Sequence, residues 1–486
     1  MGDNLRSAAV KGMAWTGVER LATQVLRFLI SLVMARLLVP ADYGIVGMLS
    51  IFLAIAGTFQ DSGFGAALIQ KKDRTEEDYS TVFYFNLAIS IICYGLFFVG
   101  APLIARFYKL PDLIPITRVI ALGLIINAFS AIQQTRLTIN LRFGTQAILS
   151  IVSLVVSSTI GITLAYKGYG AWALVWSSIL GGAINVVILW IVARWHPILA
   201  FSTQSFKRLF GFGSKLLCSS MINTIYGNLY TLVIGRAFGA AEIGHFNRAN
   251  GFASLPTETI TGIVLKVNYP ILSRFQDDNE RLASAYKRLL RTPLFLLISV
   301  LFGMAAVAEP MVRVLIGDKW LPCVPFLQVL CLGMMWNPLT HINLNLLYVK
   351  GRTDLVLKLE LIKKPIAFAI LMAMIPFGIM WMCVGKAAYD FIAFCFNCYY
   401  TNKVLKFGFW AQMREIVPMI INALLMAGVA ILAMALFEKP LYKLFAGVLA
   451  GMISYLAGAV IYREESLAYL LDMIRQKFSG FNRDKK

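Results

Sequence analysis

Charge is scarce in this sequence of 486 residues: 14% of the residues are charged, whereas 59% are hydrophobic. Soluble domains carry about 25% charged and about 45–50% apolar residues, so the composition excludes an ordinary cytosolic protein. A membrane span takes about 20 apolar residues, and about 14 such spans would leave only about 14 residues for each connection. No room remains for a soluble catalytic domain.

Histidine and cysteine are also few. The three histidines, His196, His245 and His341, are scattered, and no nucleophile or acid–base pair stands beside them. The seven cysteines are an odd number and lie mostly inside apolar segments, so we interpret them as small core side chains. The sequence therefore predicts no catalytic residue, no metal site and no cofactor. A coupling ion, H⁺ or Na⁺, stays open.

Apolar stretches long enough to cross a bilayer recur along the whole chain, which predicts an all-α polytopic membrane protein with about 14 transmembrane helices. The predicted spans are 14–36, 43–66, 79–100, 113–134, 145–166, 169–193, 216–238, 243–268, 292–308, 322–348, 354–376, 379–401, 416–437 and 442–462. They group into a six-helix lobe over 1–200, a second six-helix lobe over 201–407 and two additional helices over 408–462. Residues 463–486 are expected to form an amphipathic cytoplasmic tail.

Acidic residues are outnumbered, since 45 Lys and Arg stand against 25 Asp and Glu and give a net charge of +20. In a soluble protein this surplus would suggest nucleic acid. Here the basic residues collect in alternate loops, about 27 on one side of the membrane and about nine on the other, and the positive-inside rule then places both termini in the cytoplasm. We expect most of the charge to orient the chain in a phospholipid bilayer and expect no nucleic-acid partner.

Two segments that are 200 residues apart resemble each other. LVMARLLVPADYG at Leu32–Gly44 aligns without gaps on LVIGRAFGAAEIG at Leu232–Gly244, and polar positions of the preceding helices also correspond. The offset contains six predicted crossings, so the two copies have the same topology. Parallel repeats of this kind are typical of transporters in which two bundles move about a site at the midplane.

Many polar and charged side chains fall inside the predicted spans, where a charge costs about 2.5–3.5 kcal/mol on insertion scales and must face protein or water. Basic groups outnumber acidic ones there, which favours an anionic substrate, and the planar guanidinium of arginine suits a phosphate. The candidates for substrate binding are Arg20, Arg27, Arg248, Lys358, Lys363 and Lys364. The candidates for lining a cavity or coupling an ion are Glu19, Gln24, Asp61, Asn223, Glu258, Lys386 and Asp390.

Local pairing is the alternative explanation for several of these charges. Glu19 and Arg20 could pair with each other or reach the cytoplasmic interface, and Arg248 could reach the outer interface. The four-residue spacing predicts an ion pair between Glu360 and Lys364, which would leave Lys358 and Lys363 without a carboxylate partner. The same spacing predicts a second ion pair between Lys386 and Asp390.

Three segments carry a resemblance to a known family: RLLVPADYGIVGMLSIFLAIAGTFQDSGFGAALIQ at 36–70, GYGAWALVWSSIL at 168–180 and NRANGFASLPTETITGIVLKVNYPILSRFQDD at 247–278. They resemble the polysaccharide transporter family, the Wzx-type flippases of the multidrug/oligosaccharidyl-lipid/polysaccharide (MOP) superfamily, in the branch of colanic-acid and lipopolysaccharide exporters. The resemblance implies fourteen helices, with two six-helix lobes in a V and two helices packed outside.

The resemblance also implies a substrate and a location. The substrate would be a sugar chain on undecaprenyl pyrophosphate, moved to the outer leaflet of the bacterial inner membrane, with glycan-assembly proteins as partners. The related lipid II flippases place arginines of the first and eighth helices against the pyrophosphate. Arg20 or Arg27, and Arg248, match those positions by helix and depth.

Two other functions stay open at the level of the sequence. A cation-coupled small-molecule (multidrug) exporter could have the same fold, although surplus carboxylates in the spans would suit it better. A polytopic glycan polymerase or ligase usually needs a long outer loop with acidic or histidine residues, and the outer loops here are short. We therefore expect a transporter rather than an enzyme.

Overall fold

The computed structural model describes residues 23–469 of the chain. The candidates Glu19 and Arg20 and the tail beyond 469 lie outside the described residues. Within the described part, contacts divide the chain into two compact units, Met1–Gly244 and His245–Lys486. The lobe boundaries at 200 and 407 rest on the sequence repeat rather than on contacts, and they stay a prediction.

The first unit is helical. Its helices are α1 (described over 23–37), α2 (Pro40–Asp61), α3 (Phe64–Gln70), α4 (Glu76–Tyr108), α5 (Leu113–Ile120), α6 (Leu122–Ile139), α7 (Phe143–Tyr166), α8 (Ala171–Ala193) and α9 (Thr203–Phe238). Helix α10 (Ala240–Ser273) begins at the end of this unit and continues into the second one.

The second unit is helical as well. Its further helices are α11 (Asn279–Ala306), α12 (Ala308–Ile316), α13 (Cys323–Met334), α14 (Asn337–Val349), α15 (Thr353–Met374), α16 (Ile379–Leu405), α17 (Phe409–Ala435) and α18 (Pro440–Ile461). Two short 3₁₀ turns, Asp318–Trp320 and Ile375–Phe377, precede α13 and α16.

The predicted all-α polytopic class is confirmed. From the second span onward, each predicted span falls on one of these helices or on two consecutive ones. Among the described residues, ten helical segments are long and apolar enough to cross a membrane. Helices α9, α10 and α15, with 36, 34 and 22 residues, are long enough but more polar. The count of fourteen therefore stays a prediction.

Polar side chains fix where several helices begin. Thr75 accepts a hydrogen bond from the Asp78 amide (3.2 Å), and the Asp78 carboxylate accepts one from the Thr75 amide (2.8 Å), which closes a capping box before α4. The side chains of Ser202 and Asp278 accept hydrogen bonds from backbone amides at the starts of α9 and α11, without the reciprocal bond of a capping box. These caps satisfy amide groups that have no partner inside the helix.

The first unit has an aromatic core beside the start of α4. Phe64, Phe83 and Trp195 are buried and pack in one cluster. The segment between α8 and α9 is docked there, since the amides of Ile198 and Ser202 donate to the hydroxyls of Ser80 and Thr81, each at 3.0 Å. The polar connection that follows α8 is thus held against the first unit at these points.

A buried polar cluster joins four helices of the second unit. The Asn343 Oδ1 atom on α14 accepts hydrogen bonds from Tyr286 Oη of α11 (2.9 Å), Thr401 Oγ1 of α16 (2.6 Å) and Gln412 Nε2 of α17 (2.9 Å). In return, Asn343 Nδ2 donates to Gln412 Oε1 at 3.1 Å. All four side chains are fully buried. The side-chain amide of Asn343 therefore provides hydrogen-bond partners for polar groups that would otherwise have none in an apolar interior.

Replacing Asn343 by Leu should therefore destabilise the second unit. The loss of one acceptor leaves up to three buried donors unpaired, at a cost of about 1–3 kcal/mol for each group. Thermal unfolding of the purified protein should show a clearly lower midpoint for Asn343→Leu. Asn127→Leu, at an exposed position of α6, is the control and should unfold as the wild type does. Equal midpoints for the two variants would contradict the role of the cluster.

Candidate functional site

The two copies of the sequence repeat touch each other through glycines. A Cβ atom on Gly44 would lie 1.6 Å from the carbonyl oxygen of Ala240, and one on Gly244 would lie 2.0 Å from the carbonyl oxygen of Pro40. Gly44 corresponds to Gly244 and Pro40 to Ala240 at the offset of 200, so the contact is reciprocal. Reciprocal contacts of this kind define a two-fold interface. The starts of α2 and α10 therefore pack backbone against backbone about a local two-fold axis.

Asp42, the acidic residue of the first copy, has a structural role at this crossing. Its carboxylate accepts a hydrogen bond from the Val39 amide at 3.0 Å, which caps the start of α2. Its Oδ1 atom also lies close to Gly170, where a Cβ would be 2.9 Å away. The acid of the motif is accounted for by helix capping and packing.

Helix α1 presents two of the predicted site residues. Gln24 and Arg27 are exposed, whereas Thr23 beside them is buried. No described residue forms an ion pair with Arg27. A guanidinium inside a span needs water or a ligand as a neighbour, and the cavity role of Arg27 stays a prediction.

The polar residues of α2 and α9 face each other in part. Thr58 of α2 and Thr224 of α9 are hydrogen-bonded through their hydroxyls at 3.0 Å. Asn223, next to Thr224, is exposed, and so is Asp61 at the end of α2. Asp61 forms no ion pair with a described residue and lines a cleft with Asn86 of α4.

Helix α10 carries Arg248 and Glu258, two turns or more apart. The Arg248 guanidinium lies over the ring of the fully buried Trp320, 5.0 Å from its centroid, and His245 meets the same ring edge-on at 5.9 Å. Stacking holds the face of the guanidinium against the ring. Glu258 is exposed and has no ion-pair partner among residues 23–469.

The charges of α15 differ from the expected pairing. Glu360 lies 2.8 Å from Lys363 and 3.8 Å from Lys364, so Lys363 is the nearer partner. The expectation that Lys364 alone neutralises Glu360 and leaves Lys363 over is wrong. Lys363 is only 4% exposed, and a lysine so deeply buried needs a carboxylate beside it. Lys358 is exposed and pairs with no described residue.

Helix α16 contains the second predicted pair. Lys386 and Asp390 lie 3.3 Å apart, as their four-residue spacing predicts. The Asp390 side chain is buried, and the pair reduces the cost of placing both charges in the span. These two groups neutralise each other, whereas Arg27, Asp61, Glu258 and Lys358 have no such neighbour among the described residues.

One ion cluster was missed by the sequence reasoning. Arg291 of α11 binds Glu415 of α17 (3.1 Å) and also Glu464 (2.6 Å) and Glu465 (3.0 Å) of the segment after α18, and Lys287 binds Glu415 at 2.8 Å. The partners are up to 174 positions apart in the chain, so no local spacing indicates them. The cluster fastens the segment after α18 to α11.

The arrangement is that of a transporter. The helices are long and apolar, yet two of the most polar ones, α10 and α15, carry exposed charges at membrane depth. Among the described residues, no group of three or more His, Cys, Asp or Glu is arranged to hold a metal ion. The fold is that of a multi-pass α-helical membrane protein.

The chain belongs to the family described as "Polysaccharide biosynthesis protein", whose pattern matches residues 33–325. It is 27% identical to the teichuronic acid biosynthesis protein TuaB of Bacillus subtilis over 71% of this chain and 72% of that one. It is 25% identical to the succinoglycan biosynthesis transport protein ExoT of Rhizobium meliloti over 96% of both chains. It is 26% identical to the lipopolysaccharide biosynthesis protein WzxC of Escherichia coli over 74% of both. The resemblance to polysaccharide transporters is confirmed.

Solved structures support the fold. The lipid II flippase MurJ in its inward closed conformation superposes with a TM-score of 0.76 at 15% identity, over 92% of this chain and 99% of that one. An inward-facing multidrug resistance MATE transporter of the MOP superfamily superposes with a TM-score of 0.61 at 14% identity, over 80% of this chain and 99% of that one. At these identities the likeness concerns the fold alone.

The reciprocal glycine contact predicts the effect of single methyl groups. Gly44→Ala and Gly244→Ala each place a Cβ against a backbone carbonyl that cannot move away cheaply, so both should lower the thermal unfolding midpoint and the yield of folded protein. Each has a control in the same helix, Gly57→Ala in α2 and Gly251→Ala in α10, where a Cβ meets nothing within 4 Å. Equal stability of each variant and its control would contradict the close crossing.

Proposed function

We propose that this protein is a flippase that moves an undecaprenyl-pyrophosphate-linked oligosaccharide from the inner to the outer leaflet by alternating access. The observation that carries the proposal is the match over 96% of both chains to a protein named for succinoglycan transport. The fold likeness to a lipid II flippase over 92% of the chain supports it. The transported unit would belong to an O-antigen, a capsule or an exopolysaccharide.

Cations of the predicted spans give the proposal its chemistry. Arg27, Arg248 and Lys358 supply guanidinium and ammonium donors at membrane depth, and guanidinium binds phosphate oxygens through two parallel hydrogen bonds. Lys363 and Lys364 share Glu360, so they contribute less net charge. In this scheme the pyrophosphate and sugars cross in an aqueous path while the isoprenoid tail stays in the bilayer.

Location and energy source complete the proposal. We place the chain in the bacterial inner membrane with both termini in the cytoplasm, as the distribution of Lys and Arg favours. Glycan-assembly proteins are its expected partners, and it makes or breaks no covalent bond. Asp61 and Glu258, the exposed carboxylates without ion-pair partners in the described chain, are the candidates for coupling to H⁺ or Na⁺.

A cation-coupled multidrug exporter is the second candidate, favoured by the fold likeness to a MATE transporter. That likeness is lower than the likeness to the lipid II flippase, with a TM-score of 0.61 against 0.76. A polymerase or ligase remains the least supported alternative. Drug efflux from vesicles without any effect on exported glycan would favour the exporter.

The test of the proposal is complementation of a strain that lacks its own glycan exporter. We expect the wild type to restore the glycan, and Arg27→Ala and Arg248→Ala to lower its export about 10- to 100-fold, the equivalent of one hydrogen bond to a charged group. Arg27→Lys should retain part of the activity because the charge is kept. The measurement is cell-surface glycan, normalised to the amount of protein in the membrane.

Lys72→Ala provides the control, since Lys72 is an exposed residue of the loop before α4. This variant should export glycan as the wild type does. If Arg27→Ala and Arg248→Ala also export normally at equal protein levels, these arginines do not bind the pyrophosphate. If the wild type itself restores nothing, the proposed function is wrong.

A further inference from the structure

A cleft of about 290 Å³ lies within the first unit, between the α2–α3 corner and helices α4, α6 and α7. Its polar lining comes from Asp61, Asn86, Gln134, Thr135, Thr138 and Gln146. Ile69, Val82 and Ile132 add an apolar strip. By the predicted topology the cleft is at the cytoplasmic end of the unit. The role proposed above for cavity cations makes no use of it.

The wall of the cleft offers hydrogen-bond acceptors. Asn86 is 3% exposed, and its Oδ1 atom has no hydrogen-bond partner among the described residues. Asp61 adds a carboxylate that pairs with no described cation. The Thr135 hydroxyl donates to the Ala131 carbonyl at 2.9 Å, so its lone pairs stay available to accept. A matching ligand must therefore bring donors.

Some donors of the wall are already committed to the protein. The Gln146 amide donates to the Gln134 carbonyl oxygen (2.9 Å) and to Thr138 Oγ1 (3.0 Å), and the Thr138 hydroxyl donates to the same carbonyl at 3.0 Å. The Gln146 side chain, which lines the cleft on its α7 side, is thus held in place before any ligand binds. The Asp61 carboxylate disfavours an anion such as phosphate, and a wall with acceptors and amide donors suits hydroxyl groups, which both donate and accept.

Gly65 lies at the base of the cleft and leaves space there because it has no side chain. A Cβ at this position would be 3.6 Å from both Asp61 Oδ1 and Thr135 Oγ1, so these two acceptors flank the same point. The volume of about 290 Å³ is far larger than a bare ion needs and lies near the lower end for small-molecule sites. A single sugar ring suits it, because a pyranose has hydroxyl donors at its edge and C–H groups on its face for the apolar strip.

We propose that this cleft binds one sugar ring of the lipid-linked glycan on the cytoplasmic side, with Asp61 and Asn86 accepting hydrogen bonds from its hydroxyl groups. The inference rests on the proposed function, since it names a recognition subsite for that substrate. It assigns Asp61 to sugar recognition in place of ion coupling. The site would give the flippase a means of selecting the glycan apart from its pyrophosphate.

Binding is tested with the purified full-length protein in lipid nanodiscs, which avoids detergents with sugar head groups. The probe is the acid hydrolysate of the polysaccharide that the complemented host exports, so that the correct sugars are present. Saturation-transfer NMR should detect binding of at least one monosaccharide. We expect the signal to fall at least fivefold in Asp61→Ala and in Gly65→Leu, whose side chain would fill the base of the cleft.

Each variant has a matched control. Ala66→Leu places the same leucine side chain at an exposed position of the same helix, and Glu77→Ala removes an exposed carboxylate outside the cleft. Both should bind the sugar as the wild type does. Thermal unfolding of all four variants identifies any that fail to fold, and Asp61, an exposed residue, can be changed without opening the core.

Three outcomes overturn the proposal. The first is the absence of a signal for every monosaccharide with wild-type protein, and the second is an equal signal in Gly65→Leu and Ala66→Leu. The third is a thermal shift with NaCl, relative to choline chloride, that depends on Asp61 while no sugar binds, which would make the cleft a cation site. Complementation in parallel separates the two hypotheses: if the wild type restores the glycan but binds no sugar, only the subsite is wrong.

Discussion

A charged side chain inside a bilayer is stable only against water or a protein partner, and this constraint sorts the polar groups of the spans. Lys363 is buried and has Glu360 beside it, and Asp390 is buried and has Lys386. Arg27, Asp61, Glu258 and Lys358 are exposed and have no ion-pair partner in the described chain. The first group is neutralised within the protein, whereas a solute-binding role of the second group stays a prediction. Whether a charged side chain of the spans has an ion-pair partner thus follows from its burial rather than from its residue type.

The repeat in the sequence has a physical meaning at the crossing of α2 and α10. Copies of one motif can meet about a two-fold axis only if each provides the same surface, and here the shared surface is a glycine against a backbone carbonyl. Gly44 and Gly244 are needed because no side chain fits at either approach. Packing therefore accounts for the glycine of both copies, while the acid of the first copy, Asp42, serves as a cap.

The fold could be predicted from the sequence because long apolar runs leave few alternatives. Helices α17 and α18 lie within a few residues of the predicted spans, apart from the more polar start of α17 at Phe409. The site could be predicted only in part. Lys363 and Lys364 both lie on the face of Glu360, so spacing alone cannot decide which is closer. The Asn343 cluster and the cleft at Asp61 each join residues from several helices, and no local pattern indicates such contacts.

Reconstitution shows directly whether the chain moves a pyrophosphate-linked glycan across a bilayer. Purified protein is placed in liposomes that contain a fluorescently labelled, undecaprenyl-pyrophosphate-linked oligosaccharide from an exporter-deficient host. A membrane-impermeant quencher then measures how fast the label reaches the opposite leaflet. We expect crossing much faster than in protein-free liposomes, and slower crossing with Arg27→Ala. Crossing at the protein-free rate by folded wild-type protein, under either an H⁺ or a Na⁺ gradient, would contradict the proposed function.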